Sequence, residues 1–145
     1  MYNGLLHAHS GLRYVVLALL LVAIFNAFSK KKNSAWTAKD KKITLFAMIF
    51  THIQLLIGLV LYFISPKVSF SEGFMQNDML RFYAVEHLSL MIVAIALITI
   101  GYSKAKKAAS DRKKFSAVAT FYLIGLILIL AAIPWPFRDL GAGWF

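Results

Sequence analysis

Cysteine is absent from the 145-residue chain. Its absence excludes disulfides, thiolate metal sites and iron–sulfur ligation and leaves the redox compartment open. Acid is scarce, with six Asp and Glu against sixteen Lys and Arg and a net charge of +10. No nucleophile–base–orienter set, no Gly-rich phosphate loop and no nucleotide motif can be read, which argues against a stand-alone soluble-type enzyme. No internal repeat is evident either.

What the chain does have is apolar length. It is 60% hydrophobic with a mean hydropathy of +0.71, whereas soluble domains lie nearer half apolar. The class is an integral membrane protein. Four apolar runs, residues 5–28, 43–64, 82–101 and 115–134, each approach the ~20 residues that cross hydrocarbon as a helix. The first run does not read as a cleaved signal peptide, because its charges follow the apolar part. The length suits one four-helix transmembrane domain, residues 1–145.

The loops orient the spans. The first holds Lys30, Lys31, Lys32, Lys39, Lys41 and Lys42 against Asp40. The third holds Lys104, Lys106, Lys107, Arg112, Lys113 and Lys114 against Asp111. Together they account for the whole +10, while the second balances Lys67 and Arg81 against Glu72 and Asp78. The positive-inside rule then places loops one and three in the cytoplasm, and both termini on the other side. Short connections predict an all-α, antiparallel up-down four-transmembrane-helix bundle. The positive charge is read as topogenic, with no nucleic acid as partner. Phe70, Phe74 and Met75 of loop two are expected on the outer membrane surface or a partner. Trp135 and Trp144 suit an interfacial aromatic belt, beyond prolines that halt the fourth helix.

The histidines gather toward the non-cytoplasmic side. At ~1.5 Å per residue, His9 lies roughly 6 Å into its span, His87 roughly 9 Å and His52 roughly 20 Å, near the midplane. His7 falls at the boundary. Ionisable groups in a span are costly, and His87 has Glu86 beside it at the start of an apolar run. His9 and Arg13 share a helix face, as do Tyr83, His87 and Met91. His52 sits between Thr51 and Gln54, and Gly58 lies about two turns on, where a glycine lets a bulky partner approach.

Such imidazoles suit the iron of a b-type haem, whose two axial ligands must come from facing helices at nearly one level. His9 and His87 meet that test. Arg13 is then placed to pair with a propionate, and Glu86 or Ser89 to orient an imidazole. His52 has several roles open: an alternative partner for His87, a ligand with Met91, a second haem site, or a proton or quinone ligand. Each residue also has a structural reading. His7 and His9 can face headgroups, Arg13 can snorkel to lipid phosphate, and Glu86 can pair with Arg81 or Arg13. Two further functions stay open. One is a non-haem metal site built from His9, His52, His87 and Glu86. The other is a cofactor-free structural subunit in which histidines only bond helices together.

At these residues the chain resembles small four-helix bacterial membrane proteins of the cytochrome b type, and distantly one half of haem A synthase. The matching pieces are His7-Ala-His9-Ser-Gly-Leu-Arg13-Tyr14, Thr51-His52-Ile-Gln54-Leu-Leu-Ile-Gly58, Glu86-His87-Leu-Ser-Leu-Met91 and Ile133-Pro134-Trp135-Pro136. The Glu-x-x-His-Arg motif of haem A synthases is absent, and the fourth span has no histidine. The resemblance implies haem b and electron transfer in a bacterial cytoplasmic membrane. Expected partners are membrane lipid, a quinone, and other subunits of a respiratory complex or a periplasmic redox protein.

Overall fold

A computed structural model describes residues Met1–Phe145. It contains helices and no strands. The four long helices are α1 (Tyr2–Lys30), α2 (Ala38–Ile64), α3 (Asp78–Lys107) and α4 (Asp111–Ala132), each long and apolar enough to cross a membrane.

The first three helices outrun the apolar runs that announce them, and side-chain caps set where α2, α3 and α4 begin. Thr37 closes a capping box at the start of α2: its side chain accepts from the Asp40 N–H, and Asp40 Oδ2 accepts from the Thr37 N–H at 2.8 Å. Asn77 caps α3 through the Leu80 N–H, and Ser110 caps α4 through the Lys113 N–H. The fourth helix is shorter than its run at the far end. It stops at Ala132, and Ile133 is extended at φ −72° and ψ 131°. The ring of Pro134 disfavours helical backbone at the residue before it.

Only 28 of the 145 residues are buried, while Phe25 and Phe63 are 77% and 82% exposed. A surface this apolar suits lipid rather than water. The buried stripes are rich in small residues: Ala23 and Ala27 on α1, Ala47 on α2, Ala94 and Ala105 on α3, Ala119 on α4. In lipid, helices associate by close packing, and small residues bring backbones together. The tightest example joins α3 to α4, where a Cβ built on Gly125 would stand 2.7 Å from Ile98 Cγ1 and 3.2 Å from the Ala94 carbonyl oxygen. Both α1 and α3 pack against α2 and α4.

Polar ties mark two ends. At one, Tyr2 meets Ser65 (3.2 Å) and the Tyr62 hydroxyl donates to the Ala84 carbonyl (2.9 Å). At the lysine-rich end, the fully buried Asp40 receives Asn26 Nδ2, Lys30 Nζ and the Thr37 hydroxyl at 2.8, 2.8 and 2.7 Å. Its carboxylate thus pins the start of α2 to the end of α1. Nearby, the buried Tyr122 hydroxyl of α4 donates to the Thr44 carbonyl of α2 at 2.8 Å.

Candidate functional site

The π-helical turn Phe82–Glu86 lies within α3, immediately before His87, whose backbone N–H reaches back to the Phe82 carbonyl. The wider turn rotates the register of the residues after it, and such turns recur at functional sites. Its Ala84 carbonyl is satisfied by Tyr62. Beyond the turn, His87 Nδ1 lies 2.7 Å from the Ala132 carbonyl, at the last residue of α4. A carbonyl can only accept, so Nδ1 carries the proton, and in the neutral ring Nε2 keeps its lone pair. The group that orients His87 is therefore a backbone carbonyl.

His9 comes from α1. Its carbonyl accepts from Gln54 Nε2 of α2 at 2.8 Å, tying the two helices at its level. Its ring lies over Gly58: a Cβ there would stand 3.0 Å from His9 Cε1. His9 Nδ1 is buried and has no hydrogen-bond partner. The His9 and His87 rings lie 6.4 Å apart between centroids, with planes at 72°, and no hydrogen bond joins them. The common level inferred from helical rise is thus matched by proximity.

The other expected residues fall differently. His52 stands apart: Nδ1 meets the carbonyl of Met48 on its own helix at 2.8 Å, and Nε2 meets Thr99 Oγ1 of α3 at 3.2 Å. Both ring nitrogens are engaged, one within α2 and one across to α3. Glu86 pairs with Arg81 at 2.7 Å instead of orienting an imidazole, and Ser89 is exposed. No cluster of three or more His, Cys, Asp or Glu forms that could hold a metal ion, so His9, His52, His87 and Glu86 do not converge as a joint metal set. The midspan depth of His52 and the outward turn of Glu86 keep them away. His7 is exposed, as an interfacial residue would be.

Arg13 is buried, with 8% exposure. Its Nη2 donates to the Trp144 carbonyl at 2.6 Å and to the Tyr14 hydroxyl at 3.1 Å, and the guanidinium lies 4.8 Å from the Tyr14 ring centre. It turns inward to the C-terminal segment and does not snorkel. Its Nε has no partner.

His9, Arg13, Gly58, Tyr83 and His87 all line one cavity of about 190 Å³, open on one side. Its walls come from α1, α2, α3, loop two and the tail after α4. Lys67 also lines it, donates to the Gly141 carbonyl, and lies 5.3 Å from the Tyr83 ring centre. Comparison with protein-family models, curated proteins and solved structures finds no match to this chain.

Sequence reasoning missed Lys67, the tail residues Gly141 to Phe145, the Ala132 carbonyl and the buried Asp40. Lys67 was counted only as loop charge, and a backbone acceptor has no sequence signature. The Asp40 role was readable: Thr37-x-x-Asp40 before an apolar run is a capping signal.

Proposed function

We propose that this chain is an integral membrane haem b protein that carries electrons, with His9 and His87 as the axial pair. The observation that carries the reading is their separation. Two imidazoles on opposite faces of one iron, with each nitrogen ~2 Å from the metal and each ring centre about 1 Å further back, have centroids ~6 Å apart. The His9 and His87 centroids are 6.4 Å apart. The donor chemistry agrees. His87 donates Nδ1–H to a carbonyl, the usual arrangement for a metal-binding histidine whose Nε2 faces the metal.

The lining fits as well. Bound haem would supply a one-electron couple. Arg13 and Lys67 are the cations of the cavity wall and would meet the propionates. Gly58 leaves room for the His9 ring. Cofactor pockets commonly enclose ~300–1,000 Å³. The cavity here is smaller, about 190 Å³ and open on one side, so on this reading the side chains around its mouth would have to part to admit the ring.

On this reading the positive-inside rule puts the lysine-rich loops on the cytoplasmic side of a bacterial inner membrane, with the histidine site toward the opposite face. Electrons would then pass between a quinol in the bilayer and a partner on that outer side, or within a larger respiratory complex. Protein purified after expression with ample haem should show a Soret band, and its reduced spectrum should be that of low-spin, six-coordinate iron. His9→Gly and His87→Gly should each lose that signature and regain it with added imidazole. A colourless preparation that yields no haem on extraction would sink the proposal.

A second reading, a cofactor-free structural subunit, is favoured by His52, whose ring bonds its own helix at Met48 and the neighbouring helix at Thr99 and so has no nitrogen left for a metal.

A further inference from the structure

A second recess faces away from the histidines. It is a groove of about 500 Å³ between α1 and α2, headed by Lys39 and Lys42. Below the lysines its walls are apolar, from Val22 and Ile43 down to Val15 and Phe50. Lys39 to Phe50 spans eleven helical residues, or ~16 Å, about half the ~30 Å thickness of bilayer hydrocarbon. The groove therefore has the length of one acyl chain in one leaflet and a cationic head at the polar end.

The charge at that head is uncompensated. Neither lysine forms an ion pair; the ion pairs of the chain are Lys30–Asp40, Arg81–Asp78 and Arg81–Glu86. The acid between them in sequence, Asp40, is fully buried, with its oxygens committed to Asn26, Lys30 and Thr37. Across the first turn of α2, Lys41, Lys106 and Lys114 line a further cavity of about 220 Å³ with no acid in its wall. Like charges crowded this way favour a ligand that brings net negative charge, and a zwitterion brings none.

We propose that this groove is a binding site for one anionic phospholipid. Its phosphodiester sits between Lys39 and Lys42, and one acyl chain runs down to Val15 and Phe50. The site is separate from the histidine cavity and does not depend on the haem reading.

The test uses the full chain, purified in detergent and stripped of lipid, then titrated with phosphatidylglycerol, with phosphatidylcholine of the same acyl chains, or with inorganic phosphate. Native mass spectrometry counts retained lipid, and thermal melting reports stabilisation. Phosphatidylglycerol should be retained as a single adduct and raise the melting midpoint, with little effect from the other two. Lys39→Gln/Lys42→Gln should weaken retention at least about tenfold, since each lysine beside an anionic headgroup contributes about a factor of five. The control Lys31→Gln/Lys32→Gln removes the same charge from the same end, outside the groove, and should change retention less than about twofold. Equal retention of phosphatidylcholine would mean ordinary surrounding lipid, and equal weakening by the control pair would mean diffuse charge. A matching effect of inorganic phosphate would mean a free-anion site. Any of the three overturns the proposal.

Discussion

Gly125→Ala and Gly11→Ala add the same methyl group to helix interiors and should move stability in opposite directions. At Gly125 the new Cβ would lie 2.7 Å from Ile98 Cγ1, 3.0 Å from Ile98 Cδ1 and 3.2 Å from the Ala94 carbonyl oxygen. Carbon contacts are comfortable only near ~3.5–4.0 Å, so something must move by close to 1 Å. Ile98 and Ala94 are both 0% exposed, so the ring of neighbours has no free space to enter. The carbonyl belongs to the α3 backbone and moves only if the two helices part. Overpacking of this kind typically costs ~1–3 kcal/mol, against a helix-propensity gain of about 0.8–1 kcal/mol from glycine to alanine. The net expectation is a loss of up to about 2 kcal/mol. Nothing stands within 4 Å of a Cβ at Gly11, so there the propensity gain of roughly 0.8–1 kcal/mol acts alone. Equilibrium unfolding of the purified variants, by thermal melting in detergent or by mixed-micelle denaturant titration, reads both. Should Gly125→Ala match or exceed the stability of the parent chain, the packing argument for α3 and α4 is wrong.

Gly58→Leu should leave the helices folded but push the His9 ring aside, since even a Cβ meets Cε1 at 3.0 Å; haem retention after purification should fall well below that of the parent chain. His52→Leu should keep haem and cost about 0.6–1.7 kcal/mol of stability, the range for interhelical hydrogen bonds in membranes; loss of pigment would return His52 to the ligand set. Asp40→Ala should be the most damaging charge removal. It deprives Asn26, Lys30 and the Thr37 cap of one shared acceptor, and a loss of ~1–3 kcal/mol is expected because Lys30 is partly exposed and can turn to water. Melting of Asp40→Ala and Asp40→Asn side by side checks this, with the amide expected to retain part of the loss.

The four helices were legible because hydropathy is a property of long windows, and apolar runs of this length have few alternatives. Their ends were less so. The polar segments that extend α1, α2 and α3 carry no apolar signal, and only the Thr37, Asn77 and Ser110 caps mark where helices begin. The proximity of His9 to His87 was legible from helical rise, which converts sequence position into depth. The distance of His52 from the other histidines follows from the same arithmetic: a residue near midspan on α2 finds Thr99, in the lysine-rich half of α3, rather than the histidine end of the bundle. Glu86 was read by adjacency to His87, yet neighbours in a helix point about 100° apart. The π-helical turn between Arg81 and His87 adds a further rotation that no pattern in Phe82–Glu86 announces. Backbone partners were beyond reach altogether, since the Ala132 and Trp144 carbonyls act through position and not through side-chain chemistry.

The position of the π-helical turn ties these observations together. An α-helix continued through Phe82 to Glu86 turns more per residue than the wider π turn, so it would carry His87 further around the axis and its Nδ1 would not face the end of α4. The turn has its own support: the Tyr62 hydroxyl takes the Ala84 carbonyl, and Phe82 and Ala84 are buried against their neighbours. Tyr62→Phe removes the hydroxyl and leaves the ring, so it tests the register of the turn without opening a cavity. This single oxygen should then matter more to the His87 site than to global stability. The expected outcome is a melting midpoint close to that of the parent chain, together with faster amide exchange across residues 82–87 and weaker haem retention. If exchange and retention are unchanged, the turn is held by packing of Phe82 and Ala84 alone, and Tyr62 is no part of what positions His87.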